Sequence, residues 1–187
     1  MTPLFVLAGG VLFLREPLRR QDVLAAAVTI VGAVLLVRAY EPSGLRVSAV
    51  GLALGIFNAI SFAFLNLWAK TLPASLSPWT VLVYAFVAGT LFWLPIAPPW
   101  WVALAPQPTS VWLGVGIVTV FGTLLPYALY FAALARISAT HVSVTSTLEP
   151  VVSGLVAFAV LGETLAPPQL AGGALVLAGI GLLHLRR

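Results

Sequence analysis

The most chemically suggestive residues form a line along one predicted helix. Four polar side chains follow one another at intervals of four residues, namely His141, Thr145, Glu149 and Ser153. This spacing places them on one face of an α-helix. The surrounding stretch is apolar, and removal from water disfavours the charged form of a carboxylate. Glu149 is therefore the candidate for proton coupling, with a structural hydrogen bond to an asparagine or tyrosine as the alternative.

Similar polar and aromatic stripes mark three other predicted helices. Together with two members of the first line, they give the predicted substrate-binding residues: Asn58, Ser61, Phe62, Asn66, Tyr84, Thr123, Tyr127, Tyr130, Thr145 and Ser153. Side chains on one ridge can line a cavity. For the tyrosines the alternative is core packing with a satisfied hydroxyl, and serine and threonine often bond their own backbone.

Two prolines predict breaks within these helices. Pro126 and Pro150 each lie inside an apolar segment. Proline has no backbone N–H, so each frees one carbonyl in the preceding turn. That carbonyl becomes an acceptor that a ligand, an ion or a side chain can use.

Helices in a lipid bilayer are predicted to position these residues. The chain of 187 residues is 61% hydrophobic and 7% charged, with a mean hydropathy of +1.09. We therefore predict an all-α membrane protein with the lipid bilayer as partner. The seven predicted transmembrane helices cover roughly residues 3–14, 23–37, 48–69, 79–96, 111–134, 139–161 and 169–185. The first is short for a span, which takes about 20 residues.

The basic residues predict the orientation of the chain. If the C-terminus is cytoplasmic, counting back through seven spans places seven basic residues inside and only Arg38 and Arg46 outside. This distribution follows the positive-inside rule. We expect a protein of the bacterial inner membrane with a cytoplasmic C-terminus. Charge at helix ends also makes nucleic-acid binding a poor explanation for the net charge of +4.

Several classes of chemistry have no support in the sequence. The chain has no cysteine, no HExxH zinc motif, no glycine-rich phosphate loop and no GxSxG nucleophile elbow. His141 and Glu149 lie two turns apart, too far for direct proton exchange. We therefore predict no enzyme activity, no cofactor and no metal site.

The chain also repeats itself. Residues 2–40 align with residues 149–187 at a constant offset of 147, and the matches include Pro3 with Pro150, Glu16 with Glu163 and Gly32 with Gly179. Internal symmetry of this kind is typical of secondary transporters. An odd number of spans separates the two copies, so they are predicted to be inverted.

These motifs resemble the EamA-type transporters of the drug/metabolite transporter superfamily. The resemblance rests on Leu148-Glu149-Pro150, Leu161-Gly162-Glu163 and the helix from Gly172 to Gly179, with a weaker first copy. It implies the C-terminal part of a ten-helix fold of two inverted five-helix repeats. Residues 1–40 would be the last two helices of the first repeat, 41–47 a connecting loop and 48–187 the complete second repeat. The offset then predicts about 95 residues before Met1, or three helices.

We therefore predict a multi-pass transporter, an exporter or permease, for small polar or amphipathic molecules. It would work by alternating access between the repeats, with a site between the third, fourth, fifth and sixth spans. The lone carboxylate Glu149 favours cationic or zwitterionic cargo and suggests protons as a second partner. The alternative is a non-transporting membrane assembly protein, or an inactive fragment, in which the polar lines are hydrogen bonds between helices.

Overall fold

All regular structure in the described residues is helical, as predicted. The computed structural model describes residues 2–17, 19–40, 49–73, 75–100 and 106–183. The predicted loop 41–47, Arg46 and the C-terminal pair Arg186-Arg187 lie outside these ranges. Seven helices fill the described part: α1 (Thr2–Phe13), α2 (Arg20–Leu36), α3 (Ala49–Thr71), α4 (Pro78–Trp93), α5 (Thr109–Leu134), α6 (Ala139–Leu161) and α7 (Pro167–Leu182).

Two of these helices change their winding at the predicted prolines. In α5, a π-helical segment, Val118–Leu124, separates α-helical parts and ends just before Pro126. In α6, one 3-10 turn, Ser146–Leu148, comes just before Glu149 and Pro150. Since proline cannot donate to the carbonyl four residues earlier, the backbone rearranges its bonds in the turn before each one.

The helices have lengths and compositions suited to a membrane. Helices α3, α5 and α6, at 23, 26 and 23 residues, are long and apolar enough to cross one. About 20 residues are needed for a hydrocarbon core of about 30 Å. Helices α1, α4 and α7 are shorter apolar helices.

The chain divides into two packing units, which we describe separately. Unit 1 comprises residues 1–71 and 137–187, and unit 2 comprises residues 72–136. In unit 1 the most extensive packing joins α2 to α7, while α1 packs against α3 and α6. In unit 2, α4 packs against α5. These units are defined by contacts, and the proposed division into repeats stays a prediction.

Helices α2 and α7 touch through their backbones. A methyl group built on Gly32 would lie 2.7 Å from the carbonyl oxygen of Gly172, and one on Gly179 would lie 3.0 Å from that of Ala25. Low residue numbers in α2 therefore meet high numbers in α7, so the two helices run antiparallel. The offset of 147 exchanges these two contacts, since it relates Gly32 to Gly179 and Ala25 to Gly172.

The ends of α1 and α6 repeat the same local geometry. Arg15 follows α1 with φ 54°, and Gly162 follows α6 with φ 69°. The next amide, of Glu16 or Glu163, donates to the carbonyl six residues earlier, at 3.0 Å in the first case and 3.4 Å in the second. Both ends are thus closed by a left-handed residue, the usual helix C-cap. The offset relates these residues pair by pair.

Candidate functional site

The predicted polar line on α6 lies on the side of the helix that unit 1 leaves open. Two buried residues of α6 pack inward on α2: Val144 with Ala25 and Ala26, and Val151 with Leu36. In contrast, Thr145, Glu149 and Ser153 are all exposed. The geometry gives one carboxylate flanked by two hydroxyls at successive turns. Such a face can accept hydrogen bonds from a cationic group and donate others to an anionic one.

The turn before Glu149 shows how the backbone accommodates Pro150. The N–H of Glu149 donates to the carbonyl of Ser146, the group that an ordinary residue at position 150 would have bonded. The Ser146 hydroxyl in turn donates to the carbonyl of Val142 at 2.8 Å, and Thr147 donates to Val144 at 2.6 Å. These hydroxyls act locally, which is their common role in apolar helices.

His141 closes the start of α6 rather than joining the open face. Ser138 is the N-cap residue, and its hydroxyl accepts from the His141 backbone N–H at 3.2 Å. The same hydroxyl lies 2.6 Å from Nδ1 of the His141 ring. The imidazole is therefore engaged in the helix cap.

The predicted line on α3 changes from exposed to buried along the helix. Asn58 and Ser61 are exposed, whereas Phe62 is half-buried and Asn66 is 0% exposed. Nδ2 of Asn66 donates to the carbonyl of Phe62 at 2.7 Å. Asn58 and Ser61 are accessible to a solute in this conformation, while Asn66 would contact one only if the packing around it opened.

In unit 2, two of the predicted residues, Tyr127 and Tyr130, belong to an aromatic cluster on α4 and α5. The ring of Tyr127 stands edge-on to Phe86 with centroids 5.9 Å apart, and it lies 6.4 Å from Phe131. Tyr130 contacts Phe131 edge-on at 6.4 Å. Tyr84 is 71% exposed. Edge-on contacts of this type stabilise aromatic clusters, so Tyr127 and Tyr130 serve packing whatever else they contact.

Thr123 lies inside the π-helical segment that precedes Pro126. Its hydroxyl donates to the carbonyl of Val118, five residues earlier, at 3.3 Å. The N–H of Leu125 also reaches back five residues, to Val120. This wider winding is frequent at functional sites of helical proteins.

Sequence reasoning missed two polar residues of unit 1, one buried and one half-buried. Asp22 in the first turn of α2 is buried. Gln169 in α7 bonds two backbone groups: Oε1 accepts from the Ala166 N–H at 3.0 Å, and Nε2 donates to the Leu36 carbonyl at 3.1 Å. The internal repeat could have identified both residues, because the offset of 147 aligns Asp22 with Gln169 in the sequence.

The described residues contain no group of three or more His, Cys, Asp or Glu side chains that could hold a metal ion. The open face of α6 instead offers one carboxylate and hydroxyl groups. These groups suit binding of an organic solute or transfer of a proton.

The model of the EamA-like transporter family matches residues 49–185 of the chain. A protein of Streptantibioticus cattleyicolor, named a probable terminal-alkyne amino-acid exporter, is 32% identical over 100% of this chain and 62% of its own length. A Salmonella typhimurium protein named a probable amino-acid metabolite efflux pump is 30% identical over 94% of this chain and 62% of its own.

A third relative, an uncharacterized inner membrane transporter of Salmonella typhimurium, is 29% identical over 87% of this chain and 54% of its own length. The chain thus spans about three fifths or less of the length of these curated relatives. No solved structure matches the chain. Sequence kinship and apolar helices together indicate an integral membrane protein with several spans.

Proposed function

Because the chain belongs to the EamA-like transporter family, we propose that it carries small polar or amphipathic molecules across a membrane. The observation that carries this proposal is the family match over 49–185, where the helices long enough to span a membrane also lie. The chain covers only part of its relatives' length, so transport is proposed for the whole protein to which these helices belong.

The proposed mechanism is alternating access between two inverted repeats. Its support is the packing of α2 on α7. The two helices run antiparallel. The offset of 147 maps the contact between Gly32 and Gly172 onto the contact between Gly179 and Ala25. Contacts that exchange in this way are expected of two copies related by a two-fold axis in the membrane plane.

The proposed substrates are amino acids and related zwitterions. Two relatives are named for amino-acid export and for efflux of amino-acid metabolites. The open face of α6 presents groups that suit such a cargo: the carboxylate of Glu149 for an ammonium group and the hydroxyls of Thr145 and Ser153 for the opposite end. A charge-assisted bond to the ammonium would orient the solute.

Glu149 is also the proposed site of proton coupling, since a carboxylate in an apolar helix can exchange a proton for a cationic group. The proposed location is the bacterial inner membrane, with the C-terminus in the cytoplasm. Support comes from the inner-membrane relative and from the excess of arginine and lysine on one side in the predicted topology. The family kinship gives no reason to propose catalysis.

Transport measured with a carboxylate variant tests this function. Cells lacking their own amino-acid exporters would express the native gene, and efflux of radiolabelled amino acids would be followed between pH 6 and pH 8. Glu149→Gln should slow efflux about tenfold or more, because a hydrogen bond to a charged group is lost. It should also flatten the pH dependence.

Glu163→Gln is the matched control, since it makes the same chemical change at an exposed carboxylate beyond the end of α6. Its efflux should equal that of the unchanged protein. Efflux by Glu149→Gln at the unchanged rate, with the same pH dependence, would remove Glu149 from the mechanism. No efflux of any amino acid by the native protein would refute the substrate class.

A further inference from the structure

Asp22 is a buried carboxylate with one oxygen that no described residue bonds. It lies in the first turn of α2 and is 7% exposed. Its Oδ1 atom has no hydrogen-bond partner within the described residues. Burying an unpaired charge costs several kcal/mol, so a buried carboxylate normally has a hydrogen-bond donor or a cation as its partner.

In the second copy of the repeat, the side chain at the corresponding position has hydrogen-bond partners. Gln169 is the counterpart of Asp22 at the offset of 147, and its Nε2 donates to the Leu36 carbonyl at the end of α2. The counterpart of Leu36 is Leu183, which follows the end of α7. Leu183 packs in one buried cluster with Ala25 and Ala26, one turn along α2 from Asp22. The Asp22 end of α2 therefore meets the Leu183 end of α7, as Gln169 meets the Leu36 end of α2.

Asp22 also leaves its own helix uncapped. In α7, the other polar atom of the Gln169 side chain, Oε1, accepts a hydrogen bond from the backbone N–H of the N-cap residue Ala166. The N-cap of α2, Arg19, has no side-chain cap bond within the described residues. The carboxylate is therefore not committed to the capping role that glutamine, glutamate or aspartate often takes at this position.

The Asp22 carboxylate at this end of α7 brings acceptor oxygens together, and no described residue donates to its Oδ1. Glutamine carries an N–H to give to the carbonyl, whereas an ionised aspartate has only acceptor oxygens. The C-terminal end of α7 also carries partial negative charge. Aspartate is one methylene shorter than glutamine, which leaves room between the two oxygens. In other transporters, helix C-terminal ends and free carbonyls coordinate Na⁺.

We propose that the Asp22 carboxylate and the Leu183 carbonyl at the end of α7 contribute two oxygen ligands to a binding site for Na⁺. The ion joins the first turn of α2 to the last turn of α7. It satisfies the buried Oδ1 and offsets the negative end of α7. The site lies apart from the open face of α6 and does not depend on the proposed transport function.

Thermal stability tests this site without any transport assay. The purified chain in a nonionic detergent would be unfolded in NaCl or KCl at increasing concentration, with choline chloride keeping the ionic strength constant. Constant ionic strength removes general screening as a cause. We expect Na⁺ to raise Tm in a saturable way, by about 3–6 °C at ten times Kd.

Asp22→Gln gives a result that simple misfolding cannot imitate. The amide should donate to the Leu183 carbonyl as Gln169 does to Leu36. This variant should therefore lose the response to Na⁺ and have a higher Tm than the unchanged protein in choline chloride. Glu163→Gln, which alters an exposed carboxylate, should keep the full response.

Three results would overturn the proposal. The first is a Tm of the unchanged chain that is equal in NaCl and choline chloride. The second is a response to Na⁺ that persists in Asp22→Gln. The third is a stabilisation reproduced in full at pH 5 in choline chloride, with no further effect of Na⁺, because the bridging species would then be a proton.

Discussion

Replacing Gly172 by alanine should separate the two most closely packed helices. The new methyl carbon would lie 2.6 Å from the carbonyl oxygen of Gly32 and 2.6 Å from the amide nitrogen of Leu36. Ordinary van der Waals contact begins near 3.4 Å, so α2 and α7 must move apart by about 0.8 Å. Both contacts are to backbone, which cannot rotate away as a flexible side chain can. Overpacking of this kind costs about 1–3 kcal/mol.

Gly181 supplies the matched control on the same helix. A methyl group built there meets nothing within 4 Å. In α-helices alanine is favoured over glycine by about 0.5–1 kcal/mol, so Gly181→Ala should be neutral or slightly stabilising. For a chain of this size, we expect Gly172→Ala to lower Tm in detergent by about 3–10 °C. Equal Tm values for the two variants would refute the view that backbone contact holds α2 against α7.

Two other substitutions test the local geometry that the repeats share. Arg15→Gly should raise the free energy of unfolding by about 0.5–1 kcal/mol, because Arg15 has φ 54° where the second copy has Gly162. Gln169→Leu should lower it by about 1–3 kcal/mol, because the Leu36 carbonyl and the Ala166 N–H both lose their partner. Chemical denaturation in mixed micelles would measure both changes.

Controls separate these effects from loss of charge or of polarity. Arg19→Gly removes the same charge at φ −92°, a conformation open to any residue, so it should bring no gain in stability. Glu163→Leu removes an exposed polar side chain near Gln169 in sequence and should change stability by less than about 0.5 kcal/mol. A gain at Arg19 equal to that at Arg15 would argue against backbone strain as the cause.

The helices could be predicted from the sequence because lipid imposes long apolar segments. Helix α6 begins at Ala139 and ends at Leu161, as predicted, and α3 lies within two residues of its predicted bounds. At Pro126 and Pro150 the sequence predicts a missing backbone N–H donor, but not the helical form that results. Whether the backbone forms a π-helical segment or a 3-10 turn before the proline depends on neighbouring packing, which the periodicity of the sequence does not encode.

The candidate site was harder to predict, because helical spacing shows which residues share a face but not what that face contacts. The line on α6 stays on an open face, whereas Asn66 of the equally regular line on α3 is fully buried. Asp22 was overlooked, since one acidic residue beside three arginines at a predicted helix end looks like an interfacial charge. Only the packing of α2 on α7 shows that it points inward.

The π-helical segment in α5 also changes how this span should be compared with those of related proteins. A π-helical segment arises when a helix contains one residue more than its α-helical path requires. Deleting one residue from Val118–Leu124 would restore ordinary α-helical winding and leave the helix beyond it close to its present orientation about the axis, because the wider turn already absorbs the extra residue. A gap in a sequence alignment at this point is therefore physically reasonable, although insertions and deletions within membrane helices are usually excluded.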